Sequence, residues 1–173
     1  MSLLAVRRGG LFLLGAVLVL AAASATAPAT SAAAHTSSQH AVIRLLNAAR
    51  ARHGAPPLRE DRRLDRAARA HSRDMVANRY FAHQSHSGGG PSRRIAHTGW
   101  MRGRRRWHVG ENLAWGTRRS ARPAAIVAAW LGSPDHRRIM LDPRYRVVGV
   151  GVERGTPFAE SGRGRTYTAD FGS

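Results

Sequence analysis

The sequence contains neither cysteine nor lysine. Without cysteine there is no disulfide, no thiolate metal site, no cysteine nucleophile and no lipid-modified N-terminal cysteine. Without lysine, all 28 basic side chains are arginine, set against 10 acids for a formal charge of +18. Arginine-only usage reads as a codon bias toward G and C, so the charge is a weak argument for nucleic-acid binding, though it does exclude an acidic tail protein. Internal repeats and a phosphate-cradling glycine loop are absent too. The apolar run Leu11–Ala23 has 13 residues, short of the roughly 18 to 20 needed to span a bilayer.

That run has another meaning in its context. Arg7 and Arg8 precede it, and small residues with Ala-x-Ala sites ending at Ala25, Ala27 and Ala34 follow it. Positive, apolar and small regions in that order are the pattern of an export signal. Residues 1–34 therefore read as a signal peptide, cut after Ala25 or Ala34, with Pro28 opposing a cut after Ala27. Arg7-Arg8 lacks the rest of a twin-arginine motif, which favours the general export route. The protein is expected outside the cytoplasmic membrane, secreted or in the cell envelope.

Residues 26–38 are Ala, Thr, Ser, Pro and a single His, with nothing to bury, and 35–40 read as a short polar linker. Removing residues 1–34 takes away Arg7 and Arg8 and no acid, leaving 139 residues at +16, the size of one domain over 41–173. Apolar content of 43% with 22% charge is ordinary globular usage.

Helical spacing starts at His40, with Val42, Ile43, Leu45, Leu46 and Ala49 on one face, and closes at Gly54 and Pro56-Pro57. A second helix opens at Glu60-Asp61 and aligns Leu64, Ala67, Ala68, His71, Met75 and Asn78. His71 thus points inward, as a hydrogen-bonded core histidine. Gly88-Gly89-Gly90-Pro91 is a break; a short helix over 92–97 and another over 123–131 follow. Arg102–Arg106 between Trp100 and Trp107 reads as a solvated basic loop. Val148, Val150 and Val152 alternate with Gly149 and Gly151, and Tyr167, Ala169 and Phe171 alternate near the C-terminus. Period two predicts two strands pairing antiparallel, with the glycines leaving one face open to close approach by another element. The order of elements predicts an α+β domain.

Three positions stand out chemically. His83 follows an aromatic pair where a helix ends, Glu111 lies in Gly-Glu-Asn-Leu-Ala, and His136 lies in Ser-Pro-Asp-His-Arg. Ser133 suits an N-cap, Pro134 the first helical position and Asp135 the positive end of the dipole. His136 then sits in the first turn, where the dipole disfavours imidazolium and leaves a neutral ring able to coordinate a metal or accept a proton. Asn112 reads as a hydrogen bonder in a cleft wall. Ser133 beside His136 imitates a nucleophile and base, but capping is expected to occupy its hydroxyl. His86 falls in a surface loop.

Leu45-Leu46-Asn47-Ala48-Ala49-Arg50, the 58–64 stretch, Asp74-Met75, Tyr80-Phe81-Ala82-His83, Gly110-Glu111-Asn112, Trp130 through Arg137, Gly149-Val150-Gly151 and Asp170-Phe171-Gly172 occur in the order of a bacterial CAP, or SCP-like, domain. The chain resembles that family over roughly residues 42–172. The resemblance implies a three-layer α-β-α sandwich around an antiparallel sheet, with a cleft lined by His and Glu that can hold a divalent metal such as zinc. By motif, His83, Glu111 and His136 match three of the four cleft residues; Trp130-Leu131-Gly132-Ser133 offers no second Glu. The functions implied are an extracellular binding module for a lipid, glycan or peptide or, alternatively, a metal-dependent hydrolase using the same cleft. The charge adds anionic envelope polymers as partners. No specific nucleic-acid partner is expected, and the chain is expected to be monomeric.

Overall fold

The computed structural model describes residues 28–158 and 164–173, with side chains from Thr36 onward. The elements run α1 (Pro28–Arg52), β1 (Arg59–Glu60), α2 (Arg62–Ala77), α3 (Pro91–His97), β2 (Val109–Thr117), α4 (Pro123–Gly132), α5 (Pro134–Leu141), β3 (Val147–Arg154) and β4 (Gly164–Gly172). The sheet order is β1-β3-β4-β2. As the alternation predicts, β3 and β4 pair antiparallel, and β2 joins β4 antiparallel on the far side. The short β1 runs parallel to β3, so the sheet is mixed and not wholly antiparallel.

Helices cover both faces, which makes the α-β-α sandwich. Val148, Val150, Val152, Tyr167, Ala169 and Phe171 share one face and form a core with Val42, Ile43, Leu46 and Ala49 of α1, Ile126, Val127 and Trp130 of α4, and Met140 of α5. The opposite face is built from small and polar residues. A Cβ on Gly149 or Gly151 would fall well under 3.0 Å from the backbone of α2 at Leu64, Asp65 and Ala68. The bare face of β3 is thus where a helix backbone lies directly on a sheet. Ser72 of α2 donates to Thr168 Oγ1 of β4 at 2.9 Å, and Val150 N donates to Asp65 Oδ1 at 2.9 Å. Burial pushes the Asp65 carboxyl up to about 7.

Two features depart from the sequence reading. The segment read as a tether is helical from Pro28, because its alanines favour helix and its polar residues find partners. Ser38 Oγ accepts from Arg165 Nη1 at 2.6 Å, and Gln39 Nε2 donates to Glu60 Oε1 at 2.7 Å. The strand β2, in turn, carries no clean alternation of apolar and polar residues. Glu111, Asn112 and Leu113 are consecutive and all buried, since helices cover both faces of the strand. The signal peptide expected over 1–34 lies outside the described residues as far as residue 27.

Arg50 fixes the end of α1 from inside the core. Fully buried, it donates to the carbonyls of Pro56 at 2.7 Å, Met140 at 2.7 Å and Asp142 at 3.1 Å, tying α1 to the end of α5.

Candidate functional site

The candidate residues gather around the edge strand β2. The residue partners Glu111↔Asp170 and Gly149↔Asp170 place Glu111 and Asp170 side by side on the face covered by α2 and α3. Asn112, one residue on, points to the opposite face by the period of two. Its Nδ2 donates to the carbonyl of His136 at 3.0 Å, so it holds the first turn of α5.

His83 reaches Glu111 through a loop anchored to α2. Arg79, with φ 53°, ends the helix in a left-handed turn. Tyr80 then donates its hydroxyl to Asp74, and His86 N donates to the same carboxylate at 3.0 Å. His71 is buried, as expected. Burial lowers its pKa, and the neutral ring donates from Nε2 to Ala82 O at 2.9 Å. These bonds deliver His83 Nδ1 to Glu111 Oε1 at 2.7 Å, the imidazole half exposed and the carboxylate only 1% exposed.

The other oxygen of Glu111 is taken by Arg94 of α3, which forms a close ion pair with Oε2. Arg94 also donates to His83 O at 2.8 Å and Ser85 Oγ at 3.1 Å, so one guanidinium clamps both the acid and the loop. Asp170 is fully buried beside Glu111, and no N–H or O–H group donates to its oxygens among the described residues. Burial, with the Glu111 charge added to it, holds its pKa well above the ordinary value. A neutral Asp170 donating its own proton to Glu111 satisfies both groups. Asp170→Asn tests this. The unfolded chain releases that proton at the ordinary carboxylate pKa and the folded one only later, so wild-type stability falls as pH rises between the two values. The variant should gain on wild type by up to about 1.4 kcal/mol per pH unit above about pH 4. Urea unfolding at about pH 4 and about pH 7 checks it; a gap unchanged by pH rules out the neutral acid.

On the other side of β2, Ser133 makes no side-chain cap to α5. Its hydroxyl is hydrogen-bonded to His136 Nδ1 at 2.7 Å instead, because His136 three residues on folds back over it. The expected capping bond is replaced by this pair. The imidazole pKa is lowered by burial first and by the neighbouring His83 second, so the neutral ring expected here has causes other than the helix dipole alone. His83 and His136 each use Nδ1 internally, and neither Nε2 has a partner among the described residues. The site thus offers two imidazole nitrogens to a ligand across the edge of β2.

The zinc expectation meets an obstacle in the donor set. Both oxygens of Glu111 are engaged, one by a guanidinium whose charge opposes a cation. Among the described residues no group of three or more His, Asp or Glu side chains is arranged to hold a metal. As arranged, the residues do not fit a zinc site, which takes at least three protein ligands. A cavity of about 550 Å³ lies elsewhere, lined in part by Gln39, His40, Glu60, Arg62, Asp65 and Arg69.

Arg94 and Asp170 escaped the sequence reading. Arg94 is one of 28 arginines, and nothing local marks it. Asp170 did carry a signal: the alternation that buries Ala169 and Phe171 sends Asp170 to the glycine face of β3, where an acid has no water.

An α-β-α sandwich with a histidine–glutamate pair at the edge of its sheet defines a recognisable class of domain. Residues 43–169 match the CAP family, the Cysteine-rich secretory protein family, and the chain belongs to it. It is 37% identical over 138 residues to YkwD of Bacillus subtilis (strain 168), covering 79% of this chain and 51% of that protein. It is 35% identical over 121 residues to the membrane protein YlbC of the same organism, covering 69% of this chain and 32% of that one. The chain thus spans about half, or less, of the curated relatives it matches. Among solved structures it is similar to an extracellular protein containing an SCP domain from Bacillus anthracis str. Ames, with TM-score 0.65 and 29% identity over 79% of this chain and 40% of that one. An outer surface protein from Borrelia burgdorferi shares the fold, with TM-score 0.61 and 20% identity over 76% of this chain and 89% of that one.

Proposed function

We propose that this chain is an exported binding module that takes a lipid, glycan or peptide of the cell envelope at the cleft of His83, Glu111 and His136. One observation carries the reading. His83 and His136 each use Nδ1 within the protein and leave Nε2 without a partner among the described residues, so two imidazole nitrogens at the edge of β2 are open to a ligand's polar groups. Glu111, with both oxygens engaged, is a scaffold for His83 and not a free base, which speaks against the hydrolase alternative.

Export rests on the leader pattern and on the extracellular relative from Bacillus anthracis. No helix among the described residues is long and apolar enough to cross a membrane. A mature N-terminus between Thr26 and Thr36 is expected on sequencing the protein recovered outside the cells. A cut after Ala25 leaves α1 whole, and Met1 or Ser2 on most of that protein contradicts cleavage.

The binding test is capture from envelope extract with mass spectrometry of the retained molecules. Wild type should retain a species that the His83→Ala, His136→Ala double variant loses by at least about ten-fold, a difference of roughly 1.4 kcal/mol. Equal retention removes the cleft as the site. The exposed charge should also draw anionic polymers, through binding that collapses between low salt and about 1 M because exposed charges are screened within about 10 Å at 0.1 M.

A further inference from the structure

At the far end of β2, about 13 Å along the strand from Glu111 at roughly 3.3 Å per residue, two aromatic rings stand in solvent. Trp115 is 41% exposed and Phe158 54% exposed, and they pack edge to face with ring centroids 5.8 Å apart. The same end of the sheet carries exposed arginines. Arg118 and Arg119 follow β2 in its turn, Arg122 precedes α4, and Arg154 ends β3. None of the four has an ion pair among the described residues. Glu153 at this end pairs with Arg73 at 3.8 Å.

We infer that Trp115 and Phe158, with Arg118 and Arg119 in the turn that follows β2, form a docking surface for an anionic lipid bilayer. The inference rests on the export part of the proposed function and not on the cleft. Aromatic rings settle at the boundary between headgroups and acyl chains while arginines meet lipid phosphates. A soluble polyanion would use the arginines and leave the paired rings unexplained. A second copy of this chain would bring like charges face to face. The other exposed tryptophan, Trp107, adjoins Arg102–Arg106 but has no aromatic partner among the described residues, and Arg104 there stacks 4.2 Å over the buried Trp100 ring.

The test is co-sedimentation of the protein recovered after export, its N-terminus sequenced, with vesicles of phosphatidylglycerol and phosphatidylcholine or of phosphatidylcholine alone. Wild type should bind the anionic vesicles selectively. Arg118→Glu with Arg119→Glu should weaken binding by more than about 20-fold, since each arginine near an anionic surface is worth roughly five-fold. Trp115→Ser with Phe158→Ser should weaken it by about ten-fold, with thermal unfolding showing that the variant still folds. Arg105→Glu with Arg106→Glu removes the same charge elsewhere and should cost far less. The inference is overturned if the aromatic variant binds like wild type, which makes the site a polyanion patch, or if the Arg105 and Arg106 pair dominates. It is equally overturned if vesicles are ignored and the chain self-associates in sedimentation equilibrium. A retained Met1 would contradict export and leave the ranking of the variants informative.

Discussion

Gly151→Val should leave the domain largely unfolded at room temperature. The new side chain would have to enter the backbone of α2 at Ala68, and a helix backbone cannot move aside as a flexible side-chain tip can. Either α2 lifts from β3 or the sheet distorts, at a cost of about 4 kcal/mol or more. That is a large share of the roughly 5–15 kcal/mol that stabilises a domain. Gly132→Ala is the matched control, because a Cβ there meets nothing within 4 Å. It should shift stability by less than about 1 kcal/mol. Urea unfolding by circular dichroism checks both; a folded Gly151→Val protein with an unchanged midpoint would mean that α2 does not pack as described.

Arg94→Ala should have the next largest effect. It strands the Glu111 charge in a site that is 1% exposed, beside the buried Asp170, with the half-exposed His83 as its one remaining basic partner among the described residues. Breaking a buried pair from one side costs about 3–5 kcal/mol, most of it the penalty of the uncompensated charge. The same change frees the His83 carbonyl and Ser85, so the loop carrying His83 should loosen and exchange its amide hydrogens faster. Adding Glu111→Gln to Arg94→Ala should recover much of the lost stability, since the charge that needed a partner is gone. If the double variant is no more stable than Arg94→Ala, the pair is not what holds the site.

These two predictions mark the boundary of what was legible in the sequence. The period-two pattern around Gly149 and Gly151 left one face of β3 open to close approach by another element, and the backbone of α2 takes that place. The helix start read at Ser133 was legible, and the one read at Glu60-Asp61 falls slightly later, since Glu60 ends β1 and Asp61 caps α2; capping and dipole preferences act over one turn. In the structure Asp61 accepts from Arg63 N at 2.8 Å, whereas Ser133 turns its hydroxyl to His136. That exchange depends on a side chain leaning back from the next turn, which no spacing rule ranks above capping. The strand β2 was not legible, since Glu111 and Asn112 break the alternation. Their burial depends on Arg94 and on α5, neither near them in sequence. Spacing likewise marked His83, Glu111 and His136 individually, but the engagement of Glu111 by Arg94 is a tertiary fact. It changes the carboxylate from an available ligand into a fixed support.

The central claim is that Glu111, engaged by His83 and Arg94, is not available as a metal ligand, so that the residues do not fit a zinc site. Calorimetric titration of zinc into wild type and into the His83→Ala, His136→Ala double variant at about pH 7.5 tests it directly, because protons then compete little with a metal for imidazole nitrogen. The account predicts weak and similar heats in the two proteins. Tight one-to-one binding by wild type, lost by about 100-fold or more in the double variant, would contradict it, because Glu111 would then have to leave Arg94 and serve as a ligand.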